Sequence, residues 1–150
     1  MYPTSLTAQE VFDRVAVALL KQDAYSKLSE LDRVLIANPK FNGCAYRGLN
    51  GCRCAVGHLI ADEHYRPTLE GQPVMTAQVQ TALLASGALS YGDTEDVMNT
   101  KVRLLRAMQH THDNVPIGAW ADSFRKIAAV FRLSTAAVDD FVKGAKPCAP

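Results

Sequence analysis

The residue types able to do chemistry crowd into one stretch of the chain. Cys44, Cys52, Cys54, His58 and His64 lie within 21 residues, spaced C-x7-C-x-C-x3-H-x5-H. Thiolates and imidazoles are zinc ligands, so a zinc-stabilised module is one reading. Structural zinc sites grip with paired cysteines about two to four residues apart, and the single residue between Cys52 and Cys54 departs from that. Free cysteine is also a small hydrophobe, so Cys44 and Cys54 can equally pack a core. A nucleophilic thiol is a third reading. Cys54 precedes a helix expected from Ala55, where free N–H groups and the helix dipole lower a thiol pKa. The base would be His58, one turn on, or His112 with Asp113. Asp113 directly follows His112, a spacing that is not expected to aim both at one imidazole ring. His110 and His112 alternate within Gln109–Asp113, a pattern that can clip a metal or end a helix.

The elements that would carry these residues are mainly helical. Thr7-Ala-Gln-Glu10 is a capping box, and Val11, Phe12, Val15, Ala18 and Leu19 continue as an apolar stripe to about Gln22. Residues 23–43 are ambiguous. Leu28, Leu31, Val34 and Leu35 fit a helix, Asp32–Ile36 fits a short strand, and Asn38-Pro39 ends either. Residues 44–54 read as a small β-hairpin with Asn50-Gly51 at its turn. Ala55–Tyr65 reads as a short helix closed by Arg66-Pro67, and Thr76–Ala85 as another. A longer helix follows with Asp93 as N-cap and carries Lys101, Arg103 and Arg106. Trp120, Phe124, Ile127 and Phe131 recur at helical spacing. Ser134 caps a final helix, with Leu133 and Val138 as its hydrophobic staple. We therefore expect a mainly α (α+β) fold: one domain over residues 1–150, with five to six helices around one core and the hairpin at one side.

Composition narrows the function. The chain has 150 residues, 16 Lys+Arg against 15 Asp+Glu, and 48% apolar residues, values typical of a globular domain. Neither sign dominates, which argues against a polyanion-binding surface and against charge mimicry. Ile127–Val138 has the rhythm of a helix-turn-helix. Its would-be reading helix carries only Asp139 and Asp140 before Lys143, where base and phosphate contacts want Arg, Lys, Asn or Gln, so a packed helix pair is the better reading. No apolar run reaches membrane-spanning length, and Met1–Leu6 has no signal-like pattern, so a cytoplasmic chain with reduced thiols, Cys148 included, is expected.

The 22 residues from Gly71 to Gly92 carry no charge. Interface cores are depleted in charge, so the helix within this segment is a candidate docking surface through Met75, Gln78, Val79, Gln80, Ala82 and Leu83. A mostly buried helix would look the same.

Cys44-Ala-Tyr-Arg47, Asn50-Gly51, Arg53-Cys-Ala-Val-Gly57, Leu59-Ile60, Asp62-Glu63, Tyr65 and Glu70-Gly71 together resemble a motif of small bacteriophage and bacterial mobile-element proteins. The opening helix with Val11-Phe12, Leu19-Leu20 and Gln22, and the later Gln109-x-x-His112-Asp113, extend the resemblance over most of the chain. This chain departs from the pattern at His58, where Cys or an apolar residue is common, and at Ala61, where Pro is common. Cys52 and residues 23–40 are also peculiar to it. The resemblance implies no established chemistry. It implies an accessory protein that binds a host assembly, including bacterial defence complexes such as CRISPR effectors. The expectation is a non-enzymatic protein-binding module without a cofactor, such as an inhibitor of a bacterial defence complex, with the zinc and thiol-enzyme readings as alternatives. The oligomeric state is left open.

Overall fold

Thr7 and Glu10 start the first helix as their spacing predicts. In the computed structural model, which describes residues 5–36 and 44–145, the Glu10 N–H donates to Thr7 Oγ1 (3.1 Å) and the Thr7 N–H to Glu10 Oε2 (2.7 Å). Helix α1 runs Ala8–Gln22 and buries Val11, Phe12, Val15, Ala16 and Leu19. The other α-helices among the described residues are α2 (Glu30–Leu35), α3 (Ala77–Ala85), α4 (Glu95–Asn114), α5 (Trp120–Phe131) and α6 (Ala136–Ala145). Packed against α1 are α4, α5 and α6, and α4 also packs on α5. Phe12, Leu104, Leu105, Met108, Trp120 and Phe124 are fully buried in the resulting core. Ile127 and Phe131, the rest of the α5 stripe, are half-buried against it. No helix among the described residues is long and apolar enough to cross a membrane. The Asn38-Pro39 stop and Cys148 lie outside the described residues.

The hairpin expected over residues 44–54 does not form. The described residues contain no strand, only an isolated bridge between Lys27 and Cys44. Asn50 and Gly51 do turn the chain with positive φ (58° and 74°). Two bonds cross between the arms, from the Gly48 N–H to Cys52 O (2.8 Å) and from the Cys54 N–H to Ala45 O (3.1 Å), but no ladder follows because the other donors are claimed elsewhere. The Ala45 N–H donates to Ser26 O and the Leu49 N–H to Lys27 O, both at 2.9 Å. The N–H groups of Tyr46 and Arg47 go to the Glu70 carboxylate, and that of Arg53 to Gln22 Oε1. The helix expected over Ala55–Tyr65 is likewise replaced by tight 3-10 turns at Val56–Leu59 and Asp62–His64. Arg47 takes the carbonyls of Gly57 and Ile60, which a continuing helix would need for its own ladder.

Asp93 is not the cap of α4. Thr94 is, accepting the Val97 N–H at 3.3 Å. Asp93 instead pairs with Lys101, which is only 1% exposed. The Lys101 ammonium lies 2.8 Å from Asp93 Oδ2 and 2.6 Å from Ser5 Oγ, tying the chain's beginning to α4. Removing one partner strands a buried charge. Asp93→Ala is therefore expected to lower unfolding free energy by about 3–5 kcal/mol. Thr94→Ala, which removes a cap, is expected to cost about 1 kcal/mol. Urea denaturation of the two variants measures the difference.

Candidate functional site

Residues 44–71 hold most of the chemistry-bearing side chains, and the structure uses them to satisfy one another. Glu70, 9% exposed, accepts the N–H groups of Tyr46 (3.0 Å) and Arg47 (2.9 Å) and the Tyr65 hydroxyl (2.8 Å). Burial, and then the Glu70 carboxylate, push the Tyr65 phenol above its usual range. The Arg47 guanidinium donates to Gly57 O (2.8 Å), Ile60 O (2.6 Å) and Asp62 Oδ1 (3.0 Å), and stacks over the Tyr65 ring at 5.0 Å. Arg53 joins at the same Asp62 oxygen (2.9 Å). Gly57 allows the close approach: a Cβ there would sit 2.3 Å from the Tyr46 carbonyl oxygen.

A second cluster closes on this clasp from α4. Gln109 accepts the Val56 N–H (3.2 Å) and donates to Asp113 Oδ1 (2.7 Å). His112 is fully buried, with its ring between Tyr25 and Trp120 at centroid distances of 5.9 and 5.6 Å. Its Nδ1 lies 2.8 Å from Asp113 Oδ1, and its Nε2 is 2.9 Å from the Ser26 backbone nitrogen. Thus adjacent residues do share one imidazole, against the expectation from their spacing. The Cys44 thiol hydrogen-bonds to Asp113. Burial, and then that carboxylate, push its pKa up to about 12.

The protonation pattern decides what this cluster can do. The Ser26 N–H needs a lone pair on Nε2, so the proton of the neutral ring sits on Nδ1 and faces Asp113. Cys44, His112 and Asp113 bring their ligand atoms within 4.8 Å of one another, the one such metal-capable group among the described residues. A cation would need the Nδ1 lone pair, which the proton occupies. It would also push a proton onto Nε2, against the Ser26 N–H. The same geometry leaves Nε2 unable to take a proton from a thiol.

The five residues of the proposed zinc set are not brought together. Cys54 is 2% exposed and its sulfur accepts the Gly57 N–H at 3.4 Å. Burial raises its thiol pKa, the opposite of an activated nucleophile. His58 reaches Gln22 Oε1 at 3.1 Å, and His64 sits beside Glu63 at 3.5 Å. The sulfur that meets the His112–Asp113 pair belongs to Cys44. Cys44 and Cys52 are half-buried, and no pair of the three described cysteines is bonded.

The candidate docking helix α3 turns one side into the core. Val79, Ala82 and Leu83 are buried, Gln80 is half-buried, and only Met75 and Gln78 of the six are exposed. The helix-turn-helix lookalike is a packed pair: Ala128 and Val138 are fully buried, and Asp139 is held by Arg125 (2.9 Å) and Thr135 (2.7 Å). The surface that sequence reasoning missed is α2. It buries nothing, and Leu31, Val34 and Leu35 are 73%, 79% and 74% exposed. Their i, i+3, i+4 spacing was the available signal. No protein-family model matches this chain, and neither does any curated protein or solved structure.

Two measurements test the clasp. Burial, followed by the charge of Arg53, lowers the His58 pKa from 6.5 to about 4. Between those values the unfolded chain binds a proton that the folded chain refuses, so stability is full above pH 6.5 and falls toward pH 4. His58→Gln should flatten that part of a urea-midpoint profile against pH. Gly57→Ala forces a Cβ against backbone and should cost about 1–3 kcal/mol or more in the same assay.

Proposed function

We propose that this protein acts by binding another protein and that α2 is the contact element. The single observation that carries the reading is the exposed aliphatic face of Leu31, Val34 and Leu35. A one-sided i, i+3, i+4 set of large aliphatic side chains is the pattern by which a helix seats in a partner's groove. α2 has no core role that would explain these residues, since it buries none of its own. Ser29 nevertheless caps it by accepting the Asp32 N–H, and Ser26 anchors the approach to it through His112. The helix is thus built and held, with its apolar side left to solvent.

The partner class is a host assembly, and a defence complex such as a CRISPR effector is the specific candidate. That extension rests on the resemblance of the Cys44–Gly71 motif to phage and mobile-element proteins. The thiol-enzyme reading draws no support from a buried Cys54, and the zinc reading none from the dispersed cysteine-histidine set.

Affinity capture from bacterial lysate with the full chain and with a Leu31→Asp, Leu35→Asp variant tests the proposal. We expect a stoichiometric partner that the variant loses, with far-UV circular dichroism unchanged because neither side chain is buried. Capture that ignores the variant, or a small-molecule turnover abolished by Cys54→Ala, would overturn it.

A further inference from the structure

Helices α4 and α5 lie antiparallel and leave a groove of about 280 Å³ along their outer side. At one end Thr111 Oγ1 and Ser123 Oγ are 2.7 Å apart, and at the other the Arg103 guanidinium lies 5.7 Å over the Phe131 ring. The eight-residue span between these contacts is about 12 Å long, two helical turns. The floor is apolar: Ala107, Ile127 and Val130, with Val130 73% exposed. The rim is basic on both sides. Arg103, one turn before Ala107 on α4, lies over Phe131, and Lys126 flanks the floor from α5. No acidic side chain lines the groove. Among the described residues no ion pair engages Arg103, Arg106 or Lys126.

The chain carries a complementary shape elsewhere. On α2 the apolar face of Leu31, Val34 and Leu35 is flanked by Glu30 on one side and Asp32 on the other, while Arg33 falls on the opposite face. Six residues rise about 9 Å, within the length of the groove. We propose that α2 of one copy docks in the α4/α5 groove of a second copy. The three aliphatic side chains would seat on Ile127 and Val130, and Glu30 and Asp32 would face the two basic rims. This deepens the reading of α2 as the contact element and rests on it.

The alternatives fit less of the geometry. A nucleic acid would meet the cations but leave Ile127 and Val130 without an apolar counterpart. Two grooves placed face to face would oppose like charges. Docking of α2 into a groove is heterologous, so each copy offers one donor and one acceptor and assembly continues until a ring closes or the chain of copies ends. The patch is small, so association is weak and concentration-dependent. It also competes with any other partner for α2.

Sedimentation equilibrium of the full chain from about 10 μM to 1 mM reads the outcome directly. Wild type should increase in mass with concentration, and less so in high salt. Leu31→Asp with Leu35→Asp, and separately Lys126→Glu with Val130→Asp, should each stay monomeric. All four positions are exposed, so the fold is spared. Mixing the two variants leaves one intact α2 and one intact groove. They should pair one to one and stop there. The charge swap Lys126→Glu should weaken assembly about tenfold, and adding Glu30→Lys on the same chain, so that every contact carries the reversed pair, should restore it. A wild type that is monomeric at 1 mM, or variants that fail to pair when mixed, would overturn the inference. In either case, lysate capture that depends on Leu31 and Leu35 but not on Val130 would leave α2 standing as a contact for a different protein.

Discussion

The Glu70 carboxylate accepts the N–H groups of Tyr46 and Arg47 and the hydroxyl of Tyr65, and the irregular middle of the chain is organised around it. Residues 44–71 lie partly in the core but form neither sheet nor α-helix. Their backbone donors and acceptors must still be satisfied, because a buried unpaired group costs as much as a lost hydrogen bond. Side chains supply the partners: Glu70 for two donors, Arg47 for the carbonyls of Gly57 and Ile60, Gln22 for Arg53 and Gln109 for Val56. No buried side-chain nitrogen or oxygen among the described residues is left without a partner.

The thiols, imidazoles and carboxylates of the same cluster also spend their hydrogen-bonding capacity on one another and on the backbone. Catalytic groups keep a proton site or a lone pair free for substrate. Here Nε2 of His112 is filled by the Ser26 N–H, and the Cys54 sulfur by the Gly57 N–H. The Cys44 thiol is held protonated by burial and by Asp113. The His112–Asp113 pair also has a structural consequence. It ties the segment after α1 to α4, and with Tyr25 and Trp120 it completes an aromatic wall of the core.

Two outer surfaces carry exposed aliphatic side chains beside charged ones. α2 presents aliphatic side chains to solvent between two acids. The α4/α5 groove presents an apolar floor between basic rims. The chain is nearly neutral as a whole, so this complementarity arises from local placement of charge rather than from a net field. The loop before α2 is anchored to the core through Ser26 and through Tyr25, whose hydroxyl donates to Val115 O.

Helices whose faces alternate with helical period were legible in the sequence. α1 and its capping box, the Trp120–Phe131 stripe and the last helix follow from local spacing, as does the Asn50-Gly51 turn. Asp93 was misassigned as a cap because a buried Lys101 outcompetes a helix end for its carboxylate, and burial of that lysine is not a local property. The hairpin and the helix after it were misjudged for the same reason. Turn and propensity signals assume that backbone groups will pair with nearby backbone, and here distant side chains, Glu70 and Arg47 above all, take them first. The candidate site divides along the same line. By itself the sequence determined which residues can bond and which faces are apolar. Only the tertiary structure decided that Cys44 rather than Cys54 meets His112 and Asp113, that α3 turns half of its uncharged face inward, and that α2 turns its aliphatic face out. Those outcomes depend on which elements reach one another across the core, and spacing along the chain carries no information about that.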